Sequence, residues 1–179
     1  MKRERTYEIV LIGALAGLAG GLAEIAWVGI YATLGGTSAH AVAVAITDTL
    51  GLRSGLPTVD FWQGIGIHMA VAALIGMGVV ATLRSPWCRF RFAATEALAA
   101  IGLLVAIWGF NFFILGPIVS PAFVEMMPLA ITFASKTLFG LSAAAVLWAE
   151  RRLRPDVVGS DESGKRHRQP EHLTGSYSV

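Results

Sequence analysis

Four ionisable side chains interrupt long apolar runs: Glu24, His68, Glu96 and Lys136. A charge buried in hydrocarbon costs about 2.5 to 3.5 kcal/mol even on lenient insertion scales, so each must face protein, water or an opposite charge. A carboxylate and an ammonium at one depth can pair and leave neither charge bare. An imidazole beside such a pair has its proton affinity set by which partner is nearer.

Depth along the runs suggests that three of the four meet. Glu24 lies ten residues from Leu34 at the end of its run, His68 seven from Phe61 and Lys136 ten from Met126. At about 1.5 Å of rise per residue these counts give one level, about 10 to 15 Å deep. Helix facing agrees. Gly13, Gly17 and Gly21 repeat every four residues and Glu24 continues that face; His68 shares a face with Gly64 and Ala72, and Lys136 with Thr132, Gly140 and Ala143. Faces of small residues are where membrane helices approach closely.

The expectation is a polar pocket open to the outer side, lined by Glu24, His68, Lys136 and, nearer its mouth, Asn111, with Trp27, Trp62 and Trp108 as caps. Such a site suits a proton, a cation or a small polar head. The alternative is that Glu24 and Lys136 only pin their helices together. One histidine and two carboxylates at different depths do not make a metal-ligand set, and the sequence names no cofactor. Glu96 falls near the inner end of its run, where a snorkelling carboxylate or a pair with Arg89 or Arg91 is expected. Trp62, Trp87 and Trp148 sit where interfacial anchors belong.

The elements that must position these residues are written in the composition. Of 179 residues 55% are apolar and 15% charged, and the charges avoid four stretches, at about 9–34, 61–83, 92–118 and 126–149. Each stretch reaches the roughly 20 residues that cross about 30 Å of hydrocarbon. The fold class is therefore all-α: a polytopic membrane protein with a four-helix domain over residues 1–154 and a polar, disordered tail over 155–179, the tail holding His167 and His172. The basic start Lys2, Arg3 and Arg5 imitates a signal peptide, but the apolar run behind it is twice the usual length and carries Glu24, so it is expected to stay as the first span.

Lys2, Arg3 and Arg5, then Arg84, Arg89 and Arg91, then Arg151, Arg152 and Arg154 flank alternate ends of the spans, whereas the opposite side has Arg53 alone. The positive-inside rule then places both termini in the cytoplasm of a multi-pass protein, of the bacterial inner membrane type. The bilayer is the expected partner, and the net charge of +2 reflects orientation and anionic headgroups rather than nucleic acid. A homodimer or a larger membrane complex is also in view, since four spans rarely enclose a pathway.

Spans one and three end alike, Trp27 to Leu34-Gly35 and Trp108 to Leu115-Gly116, with Tyr31 matching Phe112. Two tandem hairpins, a parallel duplication, would produce that pattern. After the first, Ser38 can cap a short helix from Ala39 to Leu50 on the outer surface or dipping into the bundle, broken by Gly51, Gly55 and Pro57.

Cys88, the sole cysteine, excludes disulfide and paired-thiol chemistry within the chain. No phosphate loop, nucleophile elbow or zinc-protease motif is present and no substrate-positioning constellation is visible. A membrane enzyme using Glu24 or His68 as a general base is therefore a third option rather than the expected one. A glutamate in the first of four spans, with Trp108-Gly109, resembles the small multidrug-resistance exporters, but the long loop 35–60 and Lys136 depart from them; the paired cysteines of quinone-linked thiol oxidases are missing. The expected function is thus a small membrane protein with an outer-facing polar site that binds or translocates a proton, cation or small polar molecule. An accessory or assembly subunit is the alternative.

Overall fold

A computed structural model describes residues 2–35, 37–85, 87–88 and 93–153. The side chains of Lys2, Arg3, Arg5, Arg89, Arg91 and Arg154, and the whole of 155–179, lie outside that description. The described chain is helical, without strands: α1 (Lys2–Thr33), α2 (Ala39–Thr49), α3 (Pro57–Leu83), α4 (Ala93–Phe110), a π turn (Asn111–Leu115), α5 (Gly116–Val119), α6 (Pro121–Met126) and α7 (Leu129–Leu153). Four helices are long and apolar enough to span a membrane, the third formed by α4 continuing through the π turn and α5. The chain is an all-α polytopic membrane protein. In hydrocarbon each backbone amide must bond within its own segment, so these runs become helices despite their glycines.

α1 is the centre of the bundle, with α3 on one side and α7 on the other; α4 packs on α7 and only sparsely on α3. A Cβ on Gly21 would lie 2.8 Å from the Ala72 Cβ, and one on Gly20 would lie 2.5 Å from Phe139 Cδ1. Two adjacent glycines thus admit two different neighbours. Ile12, Ala16, Ala72, Val79, Val80, Leu104, Phe139 and Leu147 fill the core between them.

One end of the bundle, here the basic end, carries the start of α1, the link from α3 to α4 and the end of α7. There Arg84 pairs with Glu150, and Arg151 Nη2 lies 2.6 Å from Glu96 Oε2. Glu96 is buried, at 5% exposure, which corrects its assignment as a snorkelling surface group: its partner comes from α7, while Arg89 and Arg91 lie outside the described residues. The helix crossing of α4 on α7 brings a cation to it that sequence distance concealed.

The other end is capped. α2 lies on α3, where a Cβ on Gly64 would strike the Ala43 carbonyl and where Thr47 Oγ1 donates to the Asp60 carbonyl at 2.7 Å. Ser38 occupies the position before α2 without a side-chain cap bond. Thr37 Oγ1 donates to the Met126 carbonyl at 3.2 Å and Thr49 Oγ1 to Ser120 Oγ at 2.8 Å, which ties the loops of the two hairpins together. Pro57 is in the first turn of α3, where a missing N–H costs nothing, so this span begins four residues before Phe61.

The two Leu-Gly pairs behave differently. Gly35, at φ +87°, closes α1 in the left-handed region, whereas Gly116, at φ −58°, continues the helix. Pro117 cannot donate to the carbonyl four residues back, and the widened π turn directly before it absorbs that loss. The sequence match between the hairpins therefore does not extend to the backbone at these positions.

Asp60 is an unanticipated structural residue. Only 1% exposed, its Oδ1 accepts from Ser54 N and Ser54 Oγ, both at 2.7 Å, and Arg53 Nε lies 3.8 Å from its Oδ2. Its place in the first turn of α3 adds the helix dipole. Asp60→Ala is expected to cost about 2 kcal/mol, the scale of hydrogen bonds to a charged group, and to speed amide exchange across residues 51–56. Exchange rates equal to those of the unsubstituted chain would show that the loop holds itself.

Candidate functional site

Glu24 stands one turn beyond the two glycines that draw α3 and α7 onto α1, and it meets a side chain from each. Lys136 Nζ lies 2.6 Å from Glu24 Oε1 and His68 Nε2 lies 3.5 Å from Glu24 Oε2. Ser135 Oγ donates to the same Oε1 at 3.0 Å. The structure thus brings Glu24, His68 and Lys136 together although the starts of α3 and α7 lie three or four residues from their expected places. The carboxylate is 3% exposed, the Lys136 and His68 side chains 21% and 23%.

The two carboxylate oxygens are unequal. Oε1 receives an ammonium and a hydroxyl. Oε2 has no hydrogen-bond partner, and neither has the His68 Nε2 that faces it. The Gly21 carbonyl stands by the same imidazole. One proton placed between Oε2 and Nε2 would make the missing bond. The Lys136 ammonium lies 5.5 Å above the Phe139 ring, whose face adds a second, weaker hold on the cation.

Trp27 sits one turn nearer the capped end, and its Nε1 donates to the Ile131 carbonyl at 3.0 Å. It closes the gap between α1 and α7 above Glu24. Trp108 lies elsewhere, in an aromatic cluster with Phe112, Phe113 and Phe133 at centroid distances of 5.8, 5.7 and 5.2 Å, its buried Nε1 without a partner. Asn111 begins the π turn, its carbonyl accepting from Gly116 N. Among the described residues no hydrogen bond or ion pair joins Asn111 or Trp108 to the Glu24 cluster. Trp62 is 65% exposed, the placement of an anchor.

Ser135 and Phe139 escaped the sequence reading. Ser135 carried a signal: a small hydroxyl beside an intramembrane lysine can turn toward the same acceptor. Among the described residues no group of three or more His, Cys, Asp or Glu could hold a metal ion. Fold and site together define a small multi-pass helical membrane protein whose first span shares one buried carboxylate with two neighbouring spans. No family model, no curated protein and no solved structure matches the chain.

Proposed function

We propose that the protein binds or translocates a proton or another small polar species at the Glu24 cluster, with the basic end in the cytoplasm and the capped end outside. The proton is the species the geometry favours. Glu24 Oε2 and His68 Nε2, both buried and both without hydrogen-bond partners, face each other at 3.5 Å. An added cation has no comparable place, because the Lys136 ammonium already occupies Oε1. The charged and titratable groups concerned come from all three spans in contact: Glu24 from α1, His68 from α3 and Lys136 from α7.

His68→Ala tests the proposal because it leaves the Glu24–Lys136 pair intact. In proteoliposomes carrying a pH-sensitive dye, the unsubstituted chain is expected to pass or take up protons above the protein-free background. The His68→Ala chain, inserted to the same level, is expected to fall by about tenfold or more, within the range attributed to a positioned proton-transfer group. Background-level uptake by the unsubstituted chain would overturn the proposal.

An accessory subunit remains the second reading, and the saturation of Oε1 by Lys136 and Ser135 favours it. On that reading the cluster fixes the crossing of α1 with α7 against a partner. His68→Ala would then alter thermal stability or partner recovery and no proton signal.

A further inference from the structure

The described basic side chains are almost all neutralised by carboxylates. Arg53 lies by Asp48 and Asp60, Arg84 by Glu150, Lys136 by Glu24 and Arg151 by Glu96. Among the described residues Arg152 is the exception. Its guanidinium instead lies 4.0 Å above the Trp148 ring, which supports the flat face and leaves the in-plane N–H groups available.

Beside this stack is a crevice of 270 Å³ between α4 and α7, lined by Ala94, Glu96, Ala97, Ala144, Leu147 and Trp148. Its walls are alanine, leucine and indole. The one acid among them is already held by Arg151, whose side chain is 38% exposed and so keeps further donors at the rim. Leu98 and Leu153, which follow Ala97 and Arg152 in the chain, are exposed and apolar. A small apolar slot under two guanidiniums, at the end of a membrane span, has the chemistry of an amphiphile with an anionic head.

We infer that this crevice is a binding site for an anionic phospholipid of the leaflet at the basic end, its phosphate between Arg151 and Arg152 and its glycerol and upper acyl carbons against the alanine walls. Charge complementarity argues for the head and the apolar lining for the chain. Planar guanidinium suits phosphate better than a point charge does. The site is separate from the Glu24 cluster, so it stands or falls independently of the proposed proton chemistry.

The test uses the full chain in detergent, equilibrated with equal amounts of phosphatidylglycerol and phosphatidylcholine, with retained lipid read by native mass spectrometry. One phosphatidylglycerol is expected to be retained in preference. Arg152→Gln should cut that preference about fivefold, the worth of one basic side chain at an anionic surface. Ala97→Phe, which fills the slot without changing charge, should lower retention of both lipids, and Ala144→Phe serves the same purpose where Ala97→Phe fails to accumulate. Equal retention of the two lipids, an unchanged preference in Arg152→Gln, or displacement of the lipid by inorganic phosphate alone would overturn the assignment.

Discussion

Glu24→Gln is expected to destabilise the folded chain by about 3 to 5 kcal/mol, the cost of removing one partner from a buried ion pair. The amide can still accept from Ser135, but the Lys136 ammonium at 2.6 Å loses its counter-charge. Detergent unfolding followed by tryptophan fluorescence measures the loss. The informative companion is the double substitution Glu24→Gln with Lys136→Met. Replacing both members of a buried pair is often neutral, so the double variant should recover accumulation and stability to within about 1 kcal/mol. If the cluster only holds helices together, every other property returns with it. If Glu24 handles a proton, stability returns and proton uptake does not. A double variant no more stable than Glu24→Gln alone would show that the pair is not what holds α1 to α7.

The spans were legible because bilayer thickness imposes a length and a composition that no packing detail can hide. The Glu24, His68 and Lys136 meeting was legible for a related reason. Uncompensated charge at that depth is so costly that equal depth and small-residue faces nearly force a pair. Other features depended on crossings that a one-dimensional pattern does not encode. Glu96 looked interfacial by position, and only the α4–α7 crossing reveals Arg151 as its partner. Asp60 looked like the end of a loop, because its burial depends on Ser54 and Thr47 folding back over the start of α3. Trp108 lay at a suitable depth, yet α4 packs on α7 and little on α3, and its ring stands with Phe112, Phe113 and Phe133 in a separate aromatic layer. Depth alone therefore predicts which charges can meet. It does not predict which uncharged neighbours join them.

The mechanical consequence is that the site's geometry is set by glycines two turns away from it. A Cβ on Gly76 would lie 2.5 Å from Gly17 Cα and closer still to Gly17 N and the Gly13 carbonyl. All three are backbone atoms, so no rotamer change can yield and the helices themselves must part. Gly76→Ala is accordingly expected to cost about 3 kcal/mol, the upper part of the overpacking range, and to lengthen the Glu24–His68 separation, because α1 and α3 diverge as rigid rods. Gly78 is the control. It lies two residues along the same helix, and a Cβ there would meet nothing within 4 Å. Gly78→Ala should be neutral or stabilising by up to about 1 kcal/mol, the helix-propensity difference. Detergent unfolding of the two variants side by side separates packing from propensity. Equal effects at the two positions would mean that α1 and α3 are not in backbone contact, and the site would then lack the support that its glycine face provides.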